Sequence, residues 1–332
     1  MTFTPEQDEL RAGVRKLLGR EADPWPALCG QIGVAALAVP ERFGGLGAEI
    51  TDVQVVAEEL GRALTDTPFL GSAVLAVHTL LACGDEDACA RLLPRLAEGT
   101  VGAVAWTGDE GSWPSTGLAC RGTESTVDGS AHYVLYGDTA QILLVLAETG
   151  KGPTLYEVDT REDGVRRVAV PAMDESRALA TITFDHAPAR PLGPVDPAPI
   201  RDLACAVLAA EQAGAAARAL ELTVEYTGQR HQFGRPIGSF QALKHRMADL
   251  HVLVETARSA AYAAPESPRL AAVAKVHCSE ALSTVAAEMI QLHGGIAATW
   301  EHPAHRYFKR AHGAAQLFGA PHRHLPRVRP IG

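Results

Sequence analysis

Aromatic side chains are scarce in this chain, at 5% of residues against a hydrophobic share of 47%. The interior must therefore be filled by aliphatic and small side chains, which favours helices packed closely through alanine. Cysteine never occurs as a C-x-x-C pair. The six thiols, Cys29, Cys83, Cys89, Cys120, Cys205 and Cys278, are scattered, several in apolar helical surroundings. That excludes a disulfide frame or a zinc ribbon and implies reduced, buried thiols in a cytoplasmic protein. No dense Lys/Arg block is present and the formal net charge is -9, so nucleic acid is excluded as a partner. No apolar run approaches the roughly 20 residues that cross a bilayer, so no membrane span is expected. The opening MTFTPEQDELRAGVRKLL is amphipathic and lacks the apolar centre of a signal peptide. The histidines toward the C-terminus, His293, His302, His305, His312, His322 and His324, match no common ligand spacing, and no metal is expected.

What is present divides the 332 residues into three stretches. Residues 1–100 read as helices: Thr4-Pro5-Glu6 is a helix start, Leu10, Val14, Leu17 and Leu18 follow helical spacing, a second helix ends near Gly33, and Asp52 is expected to cap a third. The Gly44-Gly45-Leu46-Gly47 cluster lacks the third glycine of a dinucleotide fingerprint and no βαβ unit follows it. Residues 101–198 carry β-rich runs at Val101 to Trp106, His132 to Tyr136, Gln141 to Ala147, Thr154 to Val158, Val165 to Val170 and Leu179 to Phe184, separated by turn residues. These predict a small antiparallel β-domain, followed by a stiff linker at Pro188, Pro191, Pro194, Pro197 and Pro199. Residues 199–332 predict an antiparallel four-helix bundle, with Phe240, Leu243, Met247, Leu250 and Val254 on one seam and Gly214 as a close-packing residue.

The stretch with the most chemistry is Tyr226 to Leu250, which joins two of the bundle helices. Arg230, Gln232 and the backbone around Gly234 and Gly238 suit a phosphate or carboxylate, with Ser239 as a helix cap behind them. Composition alone leaves a second reading open, in which Gly234-Arg235-Pro236 is only a helix-to-helix turn and Arg230 is solvated.

The string R-x-Q-F-G-x-P-I-x-x-F-Q from Arg230 to Gln241, followed by Ala248-Asp249-Leu250, resembles the flavin-contacting hairpin of the acyl-CoA dehydrogenase family. Gln291-Leu292-His293-Gly294-Gly295 resembles that family's Q-x-x-G-G turn. The resemblance covers nearly the whole chain and implies an α+β multidomain fold: an N-terminal helical domain, a middle antiparallel β-domain and a C-terminal four-helix bundle. It implies FAD as cofactor, with Arg230, Gln232, Phe233, Phe240, Gln241, Gln291, Gly294 and Gly295 at its ADP half. It also implies dehydrogenation of an acyl-CoA thioester, with electron-transfer flavoprotein as electron acceptor.

The family's catalytic glutamate is missing. The segment that usually carries it reads Gln316-Leu317-Phe318-Gly319-Ala320-Pro321 here, with Gly319 at the glutamate position. The alternative position on the first bundle helix falls on Ala204. Glu211 lies on the same face, but about 10 Å further along the axis, which makes it a structural carboxylate rather than a relocated base. Glu221 and Glu225 read as solvated. The β-domain motifs have also drifted, to Thr107-Gly108-Asp109-Glu110-Gly111-Ser112 and Val134-Leu135-Tyr136-Gly137, and Ala311 stands where an aspartate usually follows Arg310. The chain thus resembles the short subunits of actinobacterial heterotetrameric (α2β2) acyl-CoA dehydrogenases, in which a second subunit supplies the base and the thioesters are bulky, such as steroid side chains. Two alternatives stay open: a homo-oligomeric flavoprotein with a relocated base or different flavin chemistry, and a scaffold subunit that has lost FAD.

Overall fold

The computed structural model describes residues 3–20 and 23–328. The N-terminal helices are α1 (Pro5–Leu18), α2 (Trp25–Ala27) running into a π-turn at Leu28–Ile32, α3 (Ile50–Ala63), α4 (Val77–Cys83) and α5 (Glu86–Ala97). The Thr4 side chain accepts from the Gln7 N–H and the Gln7 side chain answers to the Thr4 N–H, a capping box that fixes the start of α1. Asp52 is not the cap of α3: it lies inside the first turn, where its carboxylate accepts from the Glu49 N–H at 3.0 Å and from Gln7 Nε2 at 3.0 Å.

The strands are β1 (Gly102–Ala105), β2 (Cys120–Gly122), β3 (Thr126–Leu135), β4 (Ile142–Thr149), β5 (Gly152–Val158), β6 (Val165–Ala169) and β7 (Leu179–Pro194). All six expected runs form strands, and the short β2 is added. Pairings β4–β2, β2–β3, β3–β7, β7–β5 and β5–β4 close a ring, with β1 on β4 and β6 on β7. The sheet is mixed rather than purely antiparallel, because β1 and β2 both run parallel to β4. Its core is aliphatic, with Val127, Val134, Leu143, Val145 and Ile182 around Tyr156. The expected proline linker is instead mostly strand. Beyond Ala189, β7 pairs only with β5, so one of its edges needs no donors; Pro191 and Pro194 occupy that stretch beside a register shift.

The remaining helices are α6 (Pro197–Gln229), α7 (Gln241–Ala263), α8 (Pro268–His293), α9 (Ala304–Gln316) and α10 (Pro321–Val328); α10 was not expected from the sequence. Between α6 and α7 lies a hairpin of β8 (His231–Gln232) and β9 (Arg235–Pro236). Helix α6 is, against expectation, long and apolar enough to cross a membrane, but 83% of its apolar window is buried within the protein, as befits a core helix.

The chain forms two compact units, one comprising Phe3–Val56 and Asp66–Ala204, the other Ala57–Thr65 and 205–328. In the second, α3 and α6 cross at backbone contact: a Cβ on Gly214 would lie 2.0 Å from the Glu58 carbonyl oxygen, and one on Gly61 would lie 2.0 Å from that of Glu211. Gly214 is therefore a packing glycine.

All six cysteines are free thiols, four of them buried and Cys29 and Cys83 half-buried. Burial pushes Cys29 and Cys89 up to about 11 and Cys120 and Cys278 up to about 12. These four thiols are expected to stay unmodified when the native protein meets iodoacetamide at neutral pH, and to react on unfolding, as read by mass spectrometry.

Candidate functional site

The Arg230 region is built at the exit of α6. The Arg230 N–H donates to the Tyr226 carbonyl at 2.9 Å and the Ile237 N–H donates to the Arg230 carbonyl at 2.8 Å, which closes the base of the β8–β9 hairpin. The turn at its tip is Phe233-Gly234, not Gly234-Arg235-Pro236: Gln232 pairs with Arg235, and both tip residues have positive φ, +54° and +77°. That is the backbone pattern of a type I′ turn, which glycine accepts and phenylalanine adopts only under strain. Phe233 nonetheless projects its ring outward, 91% exposed. Its edge meets Phe240 at 6.1 Å between ring centres, and the Arg235 guanidinium covers Phe240 at 4.0 Å. Ser239 does not cap α7; its hydroxyl donates to the Pro236 carbonyl at 2.7 Å, and Phe240 holds the N-cap position with no side-chain bond.

Gln291, Gly294 and Gly295 lie where α8 stops, beside the exit of α6. Gly294 has φ +65° and, like Gly295, open space where a Cβ would point. One contact brings the two motifs together: the Tyr226 hydroxyl donates to the His293 carbonyl at 3.2 Å and the two rings stack at 4.3 Å. The site is thus a pair of turns, one following α6 and one following α8, joined through Tyr226 and His293. Among the described residues, Arg230, Gln232, Gln241 and Gln291 are exposed and their side chains carry no hydrogen bond or ion pair. An unpaired guanidinium, three unengaged amides and two open glycines suit a diphosphate with a polar sugar. His293, which sequence reasoning considered only as a metal ligand, adds to the site: it is 3% exposed and its Nε2 has no partner. The sequence signal was its position between Gln291 and Gly294.

The positions expected to lack a base are arranged as follows. Ala204 is fully buried. Gly319 follows α9 in a turn with φ +97°, after Phe318 at +58°. That turn is anchored on both sides: the buried Lys275 ammonium donates to the Ala314 and Ala315 carbonyls at 2.9 and 3.1 Å, and His324 Nε2 bonds the Phe318 carbonyl at 2.9 Å. Lys275 thereby places a cation on the C-terminal end of α9, the end of a helix that favours one. Glu211 is held by Arg310, whose guanidinium lies 3.1 Å away and also donates to the Thr65 carbonyl at 3.1 Å. A carboxylate so engaged is part of the packing. Glu221 is not simply solvated either. Partial burial opposes its charge, but hydrogen bonds from Arg62 at 2.7 Å and Arg218 at 3.1 Å hold its pKa below the usual value. Glu225 is exposed, with Gln229 Nε2 at 3.5 Å.

In the β-containing unit, the drifted loop after β1 is pinned from inside. Thr107 Oγ1 accepts from the Trp113 N–H at 3.1 Å, and Trp106 Nε1 donates to the Pro114 carbonyl at 2.9 Å. Tyr136, φ +53°, donates from its hydroxyl to Asp66. A cavity of about 730 Å³ opens at one end of the strand ring, between Arg95, Gln141, Glu157, Asp159 and Arg190. Its two acids are neutralised locally, Glu157 by Arg91 and Asp159 by Arg161, and none of the expected cofactor residues lines it. Asp128, Asp185 and His186 bring ligand-type atoms within 4.8 Å of one another on the surface. There the His186 N–H donates to Asp128 at 2.8 Å, a bond that ties the β3–β7 bulge.

Comparison with known proteins agrees with this architecture over the full length of the chain. The model of the acyl-CoA dehydrogenase N-terminal domain matches residues 4–100, and that of the acyl-CoA dehydrogenase C-terminal domain matches residues 204–326. Acyl-CoA dehydrogenase IpdE2 of Mycobacterium tuberculosis (strain ATCC 25618 / H37Rv) is 44% identical over 349 residues, covering 99% of this chain and 98% of that protein. The solved ChsE4-ChsE5 complex from Mycobacterium tuberculosis is similar at a TM-score of 0.88 and 28% identity, over 98% of this chain and 97% of that one. The Tcur3481-Tcur3483 steroid ACAD G363A variant is similar at a TM-score of 0.86 and 29% identity, over 97% and 96%. With helices, strand ring, helical bundle and both motif turns in this order, the chain belongs to the acyl-CoA dehydrogenase family.

Proposed function

We propose that this chain is one subunit of an FAD-dependent acyl-CoA dehydrogenase of the cytoplasm. In this reading it holds the ADP half of the cofactor, while a second acyl-CoA dehydrogenase subunit supplies the catalytic glutamate. The observation that carries the reading is a contrast within one unit. The turns bearing Arg230, Gln232, Gln291, Gly294 and Gly295 are open and unengaged, whereas Gly319 has no carboxylate and Glu211 is tied to Arg310.

Arg230 neutralises the pyrophosphate, the amides of Gln232, Gln241 and Gln291 bond sugar and phosphate oxygens, and Gly294 and Gly295 let their backbone approach without steric cost. Phe233 and Phe240, in contact with each other, flank that turn. When bound, the flavin supplies the hydride acceptor for the β-carbon of the thioester. Removing the α-proton needs a carboxylate within reach in a dry pocket, and that group comes from the partner. The likeness to a two-protein complex, ChsE4-ChsE5, supports a hetero-oligomer, and the likeness to a steroid enzyme supports a bulky acyl group. Electron-transfer flavoprotein is the proposed electron acceptor. The relocated-base alternative is disfavoured by the Glu211–Arg310 pair.

Arg230→Ala tests the reading. The Arg230 side chain is exposed and carries no hydrogen bond or ion pair, and its backbone bonds survive the change, so the variant should fold and assemble normally. The complex should retain roughly tenfold to a hundredfold less flavin at a given free concentration, the effect of losing one charged hydrogen-bonding group. Unchanged flavin occupancy would count against a cofactor role for this turn and favour a scaffold.

A further inference from the structure

We propose that the cavity at the end of the strand ring is a second ligand site, built to take a phosphate group, free or as the monoester of a small metabolite, between Arg95 and Arg190. All of its lining lies within the unit of Phe3–Val56 and Asp66–Ala204, and it does not depend on the cofactor reading above.

The cavity, of about 730 Å³, is walled by the last turn of α5 at Arg95, by Gln141 just before β4, by the end of β5 at Glu157 with the turn that follows it, and by β7 at Arg190. Two acids belong to the lining, and neither serves Arg95 or Arg190. Asp159 accepts from Arg161 Nε and Nη2 at 3.0 and 2.8 Å, a pair complete in itself. Glu157 stands directly opposite Arg190 in the β5–β7 pairing, the place where opposite charges on a sheet normally meet. Instead both of its oxygens are taken by Arg91 of α5, at 3.2 and 2.6 Å. Arg190 is thereby left over, and so is Arg95, one turn after Arg91 on the same helix, where like charges repel. Both side chains are exposed, and among the described residues neither has a hydrogen bond or ion pair. One carboxylate among the three guanidiniums of Arg91, Arg95 and Arg190 leaves positive charge uncompensated around a concavity, in a chain whose net charge is -9.

A concave surface lined by charge of one sign concentrates the opposite ion. The donors decide which ion fits. Gln141 spends its Oε1 on the Val101 N–H at 3.0 Å, which leaves its Nε2 to donate, and the Ser125 hydroxyl has no partner among the described residues. A carboxylate offers two oxygens, and a single guanidinium satisfies both side by side. Two guanidiniums on different walls, an amide and a hydroxyl call for more oxygens and up to two charges, and a phosphate group has both. The cavity is many times the roughly 30 Å³ that one water occupies in the liquid, so an organic carrier has room beside the phosphate.

The test is calorimetric titration of the full chain, at physiological ionic strength, with inorganic phosphate, ribose 5-phosphate and succinate. The same titrations on the Arg230→Ala protein keep the cofactor turn from supplying the binding. Both phosphates are expected to bind, and succinate roughly tenfold more weakly, the effect of one unmade hydrogen bond to a charged group. Tighter binding of ribose 5-phosphate assigns the monoester as the ligand, and tighter binding of inorganic phosphate assigns the free ion. Arg95→Ala and Arg190→Ala should each weaken the tighter ligand roughly tenfold to a hundredfold. Both side chains are exposed and unbonded, so these variants should fold. Glu157→Gln should act in the opposite direction, tightening binding severalfold, because it removes a negative charge from the lining and releases Arg91. A variant that only disturbed the fold would not bind more tightly. No phosphate binding at millimolar concentration, succinate bound as tightly as phosphate, binding unchanged in both arginine variants, or binding lost in Arg230→Ala alone overturns the inference, and none of these results touches the cofactor reading.

Discussion

Glu211→Ala is expected to lower the unfolding free energy by about 3–5 kcal/mol, the cost of leaving a buried cation without its counter-ion. Arg310 has a side chain only 3% exposed, its partner only 11%, and they meet at 3.1 Å. Water cannot replace the carboxylate there. Since a domain has about 5–15 kcal/mol in all, the variant should melt far below the parent. Glu211→Leu combined with Arg310→Met should recover much of the loss, because a buried ion pair is worth little more than apolar packing of similar volume. A thermal melt of the three variants checks this. A Glu211→Ala protein as stable as the parent would show that the carboxylate is not committed to Arg310, and would reopen Glu211 as a base.

Gly214→Ala carries the second large expectation. On an isolated helix the change would stabilise by about 1 kcal/mol, because alanine is the better helix former. Here the new methyl group would lie 2.0 Å from the Glu58 carbonyl oxygen, a backbone atom that cannot rotate away. Helices α3 and α6 would have to separate. Separation would also open the matching contact of Gly61 with Glu211 and disturb the Glu211–Arg310 pair on the same seam. The loss should therefore exceed the roughly 1–3 kcal/mol of ordinary overpacking. Denaturant unfolding gives the sign directly, and a neutral or stabilising outcome would mean that the two helices do not cross at backbone contact.

The features legible in the sequence were those set by local periodicity and by exact strings. The helix start at Thr4 and the strand runs around Leu143 and Ile182 follow from neighbours a few residues apart. The parallel pairing of β1 and β2 with β4 was not legible, because strand direction depends on partners far along the chain. Neither was the fate of Pro191 and Pro194: a proline reads as a linker until it is known that the strand beside it has an unpaired edge. Pairing partners were hidden for the same reason, so Glu221 read as solvated although Arg62, far away in sequence, reaches it. At the candidate site the residue types were legible from the two motifs, whereas the link between them was not. Tyr226 and His293 belong to different helices, and only the fold stacks them and buries the His293 ring with its Nε2 unpartnered.

The most direct test of the half-site account is flavin content per chain, from the visible spectrum and native mass, for this protein produced alone and then together with a glutamate-bearing acyl-CoA dehydrogenase subunit. The account predicts a colourless or nearly colourless lone chain, and a mixed complex that carries FAD and oxidises acyl-CoA. A lone chain that is yellow, with one FAD per subunit and acyl-CoA turnover of its own, would contradict it.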